Sequence, residues 1–182
     1  MLMATDTRPW TMEQFHRLPD DGNKYELIHG VLFVTPAPTD DHETILARLT
    51  RTLEPYVARH GLGLIYRPRA VLRLGREVEV EPDLMVREAR PGIGNAWETA
   101  PRPLLVVEVL SPSTRGRDRR EKRAVYRDEA LIPHYWVIDG ERREIHVVQP
   151  GQADEIVRDR LEWAPAGATE PLSFRLEEVL GG

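Results

Sequence analysis

Apolar and polar positions along the chain fall into two periods, one helical and one alternating. In "DDHETILARLTRTLEPYVARHG", Ile45, Leu46, Leu49, Leu53 and Val57 recur at helical spacing. The pattern predicts a helix opened by a capping box of Asp40 with Glu43 and stopped at Gly61. Pro55 interrupts it and predicts a kink or break near Leu53–Glu54. "TMEQFHRL" reads as a short helix with Thr11 and Gln14 as its capping box. "KYELIHGVLFVTP" predicts a hairpin turning at His29-Gly30, and "HYWVID" with "REIHVVQP" a second across Gly140-Glu141. "LGLIYRP", "RAVLRLG" and "EVEVEPDLMV" read as further strands; in the last, Glu79, Glu81 and Asp83 point away from Val78, Val80 and Pro82. "LLVVEVL" is apolar on both faces, as a central strand would be. "REARPGIGNAWETAPRP" reads as a loop, a helix is expected from about Arg115 to Ala130, and "LSFRLEEVL" reads as a short closing helix. This order predicts an α/β fold, a mixed central β-sheet flanked by helices, forming a single domain over residues 1–182.

Composition narrows the function classes. Of the 182 residues, 41% are hydrophobic and 30% charged, as in soluble globular proteins. The longest apolar runs are too short to cross a bilayer, and "MLMATDTRPW" lacks the pattern of a signal peptide, so a cytoplasmic protein without membrane attachment is expected. The absence of cysteine removes thiol nucleophiles, disulfides and thiolate zinc sites. A net charge of −5 argues against coating nucleic acid by bulk electrostatics. Its distribution is uneven. Glu77, Glu79, Glu81, Asp83 and Glu88 face one basic residue, Arg87, whereas Ser111–Arg127 carries seven basic residues and two acidic ones. A solvated charged helix explains such a run as readily as a binding surface does.

Glu108 is the most informative residue. An ionised carboxylate in an apolar strand costs several kcal/mol unless it is paired or bound to a cation. Asp83 can come alongside if the two strands are neighbours. Two hard oxygen ligands on adjacent strands suit Mg²⁺ or Mn²⁺. Beyond the strand, "SPST" offers Ser113 or Thr114 as a helix cap, and the amides there, with Arg115 and Arg117, would favour a phosphate.

"PD" on one strand and "VVEV" on a later one resemble the PD-(D/E)XK nuclease superfamily. More closely, "YELIHG", "TPAP", "VEPDLMV", "LLVVEVLSPST" and "HYWVID" resemble the Uma-two family of restriction-endonuclease-like proteins, over about Tyr25 to Val147. The resemblance implies a restriction-endonuclease-like fold with a nuclease core at about 25–147, and hydrolysis of nucleic-acid phosphodiesters, DNA first, with a divalent metal held by Asp83 and Glu108. It departs at one place: the E-x-K lysine would fall at position 110, which is Leu110. Lys122 is the substitute the resemblance offers. Asp118, Lys122 and Tyr126 are spaced to share one helix face, which makes Asp118 and Tyr126 accessory candidates. The resemblance also assigns Glu26 to metal or water and gives His42 an accessory role. By the same analogy the protein is expected to be a homodimer.

Two other classes compete. A pair of carboxylates can hydrolyse glycosides, but neither "EPDL" nor "VVEV" has an aromatic neighbour to platform a sugar. A nuclease-fold module that has lost cleavage, and only binds nucleic acid or oligomerises, would explain Leu110.

Overall fold

The computed structural model describes residues 8–89, 97–111 and 118–181. Strands β1 (Lys24–Ile28), β2 (Val31–Thr35), β4 (Leu72–Leu74) and β5 (Val78–Val80) form an antiparallel sheet in the order β2-β1-β5-β4. A second sheet has six strands: β3 (Leu64–Tyr66), β6 (Leu84–Arg87), β7 (Leu105–Val109), β8 (His134–Asp139), β9 (Glu144–Val148) and β10 (Glu155–Val157). Its order is β10-β9-β8-β7-β6-β3; only β7 and β8 run parallel, and the other pairs are antiparallel. β11 (Arg160–Trp163) and β12 (Leu172–Arg175) make a separate pair. The mixed sheet flanked by helices is the α/β architecture expected from the sequence.

Two cores lie on opposite faces of the six-stranded sheet. The 20-residue helix α2 (Asp40–Arg59), which follows the short α1 (Met12–Phe15), packs Leu46, Leu49 and Leu53 against Leu84, Val86, Leu105, Val107 and Trp136. On the other face, Met85, Val106 and Tyr135 meet Val78 and Val80 of the smaller sheet, with Val125 and Tyr126. β7 is therefore buried along its whole length, and its alternate residues serve two cores. Burying the five residues of this strand removes all of its side chains from water, which makes Glu108 the one polar exception on it.

Several expectations are corrected. Thr39, not Asp40, caps α2: its hydroxyl accepts from the His42 N–H, and Asp40 is already helical. The helix runs through Pro55 unbroken, with Leu53, Tyr56 and Val57 buried on either side of the proline. "EVEVEPDLMV" is two strands in two sheets, because the chain crosses from β5 to β6 at Glu81-Pro82-Asp83. In "LSFRLEEVL", Leu172–Arg175 pairs as β12 and only Leu176–Leu180 is helical, as α4. The basic helix is described from Asp118: α3 (Asp118–Arg123) continues as a π-helical stretch, Ala124–Glu129. Both hairpins are as expected, the first turning with positive φ at His29 (48°) and Gly30 (79°).

Candidate active site

The crossing from β5 to β6 puts the site at the seam between the two sheets. β6 pairs with β7 as far as Leu84 and Val107. Continuing that register one place sets Asp83 opposite Glu108, but there the backbone ladder gives way to a side chain. The Val109 N–H donates to Asp83 Oδ2 at 2.9 Å. The same oxygen lies 3.1 Å from His42 Nε2, and Lys24 Nζ donates to Oδ1 at 3.1 Å.

Glu108 is held from the other side by the helix that follows β7. Lys122 Nζ lies 3.1 Å from both Glu108 oxygens, and the Tyr126 hydroxyl donates to Oε1 at 2.7 Å. Lys122 and Tyr126 do share a face, as their spacing predicts. The turn widens to π geometry from Ala124, between the two, a distortion that recurs at functional sites. Glu26 completes the cluster from β1. Its Oε2 lies 2.9 Å from Lys122 Nζ, and its Oε1 accepts the Glu81 N–H at 2.9 Å. Three buried carboxylates from two sheets thus converge on two lysines and a histidine.

Electrostatics divide the carboxyls. Burial would raise Asp83, but the charge of Lys24, the His42 contact and Lys122 outweigh it and hold Asp83 well below the usual carboxylate range. Glu108 goes the other way. Burial pushes it up to about 7, against the pull of Lys122 and with the Asp83 charge adding to the rise. For Lys122, burial opposes the charge, yet Glu108, Glu26 and Asp83 together keep it protonated well above the ordinary lysine value. Burial also disfavours a charged His42, but Asp83 and Glu43 on its two ring nitrogens raise its pKa overall. Glu81, beside the cluster, is raised chiefly by burial.

Lys24, His42, Glu81, Asp83, Glu108 and Lys122 line a cleft of about 730 Å³, together with Thr35–Thr39 and Arg67–Arg69. Leu110 also lines this cleft, two residues from Glu108, at the position where the resemblance expects lysine.

Among the described residues no three Asp, Glu, His or Cys side chains converge as a ready-made metal cage. A divalent ion that keeps several waters would need only the pair Asp83 and Glu108 from the protein. Both carboxylates line the cleft, where a divalent ion would meet their oxygens alongside the Lys24, His42 and Lys122 contacts.

Of the residues singled out in the sequence, Asp83, Glu108, Lys122, Glu26, His42 and Tyr126 come together. Asp118 is the first residue of α3. Ser113, Thr114, Arg115 and Arg117 lie outside the described residues. Further along the basic run, Arg123 is paired with Asp154 and Arg127 with Asp128, so those two are engaged within the protein. Sequence reasoning missed Lys24. Its signal was present: in "KYELI" it stands two residues before Glu26 and so shares that residue's strand face.

Fold and site together define a restriction-endonuclease-like α/β protein. A crystal structure of a protein from Anabaena variabilis ATCC 29413, described as a "putative nuclease belonging to DUF820", superposes with a TM-score of 0.74. It covers 94% of this chain and 98% of its own at 21% identity, a likeness of fold. The chain belongs to the Uma2 family, described as "Putative restriction endonuclease", whose model matches residues 12–177. No curated protein matches it in sequence.

Proposed function

We propose that this chain is a nuclease that hydrolyses phosphodiester bonds in DNA with the help of Mg²⁺ or Mn²⁺ held by Asp83 and Glu108. The observation that carries the reading is the convergence of Asp83, Glu108 and Lys122 in the wall of one cleft. Membership of the Uma2 family supports nucleic acid as the substrate. A bound divalent ion would supply Lewis acidity at the scissile phosphate and a more acidic attacking water.

The chain's own residues do the rest. Lys24, His42 and the Val109 N–H keep Asp83 ionised and fixed in direction. Tyr126 and Lys122 orient Glu108. Lys122, buried and held protonated by the surrounding acids, can donate to a phosphate oxygen or the attacking water as negative charge develops. Glu26, locked by the Glu81 N–H, sets where that ammonium sits. Catalysis on this account is positioning and electrostatics around an in-line displacement. Cutting both strands of a duplex would take two copies of the site, so the proposal includes a homodimer.

A binding-only module was the reading that Leu110 favoured. Its ground weakens once Lys122 supplies an ammonium beside Glu108. The test is cleavage of supercoiled plasmid and of single-stranded DNA with Mg²⁺ or Mn²⁺, alongside Asp83→Asn and Glu108→Gln. Metal-dependent nicking lost in both variants is expected. A folded wild type that binds DNA and cuts neither substrate would return the protein to the binding class.

A further inference from the structure

A second cavity, of about 380 Å³, shares no lining residue with the cleft. Its wall includes Arg73, Arg87, Trp97 and Arg102. Arg87 is its unusual member. The residue is 5% exposed, and its Nε and Nη1 are buried with no hydrogen-bond partner. Among the described residues no carboxylate pairs with it. Its guanidinium carbon sits 4.0 Å from the centroid of the Tyr66 ring and 5.4 Å from that of Trp97.

Aromatic faces compensate only part of what a guanidinium loses on leaving water. The acids in the same wall do not make up the difference. Glu98 is taken by Arg73, and Glu129 Oε1 lies 2.9 Å from His29 Nε2. Arg102 donates to the Ala130 carbonyl. Among the described residues the Arg87 guanidinium therefore lies against two aromatic rings, short of acceptors.

We propose that this cavity is an oxyanion site, in which Arg87 binds a phosphate group. Guanidinium offers planar, paired donors that match phosphate oxygens, and its stacking fixes their direction in advance. Two sources share this chemistry: a backbone phosphate of a bound nucleic-acid strand, or a free phosphate or nucleotide. Placement favours the first. Arg87 stands four residues beyond Asp83 along β6, roughly 13 Å at the rise of a strand. The segment that lines the cleft at Arg67–Arg69 continues directly into the second cavity at Val71–Gly75. The strand source rests on the nucleic-acid reading above, whereas the anion site itself does not.

The test uses the full chain and inorganic phosphate against chloride at equal ionic strength. Thermal unfolding is followed for wild type, Arg87→Met and Arg87→Lys, with the wild-type guanidinium Nε–H resonance of Arg87 as a readout that needs no variant to fold. A phosphate-specific rise in Tm and a shifted Nε–H signal in wild type, the rise absent in Arg87→Met and reduced in Arg87→Lys, are expected. A wild-type Nε–H signal unmoved by phosphate overturns the site, as does a Tm rise undiminished in Arg87→Met. The second arm measures binding of a short single-stranded DNA in an Asp83→Asn background, so cleavage plays no part. Affinity reduced about tenfold by Arg87→Met, with a salt slope shallower by about one counterion's contribution, identifies a strand phosphate. Unchanged DNA affinity with the phosphate response lost assigns the site to a free anion.

Discussion

Lys122 Nζ lies 2.9 Å from Glu26 Oε2 and 3.1 Å from Glu108 Oε1, bridging two acids on strands of different sheets. The lysine reaches this point from α3, after the strand that carries Glu108 has ended, while Leu110, the residue just past that strand, stands at the E-x-K position.

That relationship predicts a rescue. Lys122→Met should lower kcat by about 10²–10³-fold, the usual cost of losing one charged donor aimed at a transition state. Leu110 lines the same cleft, two residues from Glu108. Adding Leu110→Lys to Lys122→Met should therefore recover activity by about tenfold, the shortfall reflecting imperfect placement. Single-turnover cleavage of an oligonucleotide measures both. Equal rates for the single and double variants would show that Lys122 acts through α3 packing rather than through its charge.

Lys24 predicts a different signature. It donates to Asp83 Oδ1 and stands 3.8 Å from Glu26 Oε1. Removing one partner of a buried pair leaves the other exposed to its full desolvation cost, about 3–5 kcal/mol at the upper end. Lys24→Met should destabilise the fold through Asp83, and Asp83→Asn in the same chain should return much of that loss. A double-mutant cycle by urea unfolding gives the coupling. Additive effects of the two changes would place the ammonium outside the carboxylate's influence.

Much of this site was legible because each clue was a local contradiction. Glu108 is a charge in a strand buried on both faces, and Asp83 an acid beside proline at a strand end. Hairpins and α2 followed from periodicity and turn residues. What stayed hidden depended on three dimensions. Nothing in "EVEVEPDLMV" announces that its two halves belong to different sheets, since alternation continues across Pro82. The π-helical widening after Arg123 is likewise invisible to a pattern that helical spacing already satisfies. Lys24 is hard to read from sequence because a lysine at the start of a strand is usually solvated, and its hydrogen bond to Asp83 comes from 59 residues away.

Substituting the candidate metal donors separates two effects. Asp83→Asn and Glu108→Gln keep volume and polarity, and each should reduce cleavage by at least about 10²-fold. Their stability should diverge. Asp83 is the ionised partner of Lys24 and His42, so its neutralisation should destabilise the protein. Glu108 is disfavoured as an anion by burial, so Glu108→Gln should be close to neutral near pH 7. Comparable destabilisation of both variants in thermal unfolding would contradict this division of charge.

The same asymmetry sets a pH dependence whose sign can be worked through. Glu108 has an ordinary value of 4.5 and is pushed up to about 7 in the folded chain. Between these values the folded state keeps a proton that the unfolded chain has released. Its contribution to stability is whole below 4.5 and is lost as pH rises through about 7. Asp83 works in the opposite direction and in another window: its lowered pKa adds stability above 3.8 that disappears as pH falls. A divalent cation held as proposed would compete with the Glu108 proton, so the Tm gained from added Mg²⁺ should grow as pH rises through about 7. Cleavage should show a rising limb in the same range. Glu108→Gln removes the titrating group, and its Mg²⁺-induced Tm change should be small and flat with pH. A wild-type Mg²⁺ effect that does not vary across this window, or one that Glu108→Gln reproduces, would separate the cation from Glu108.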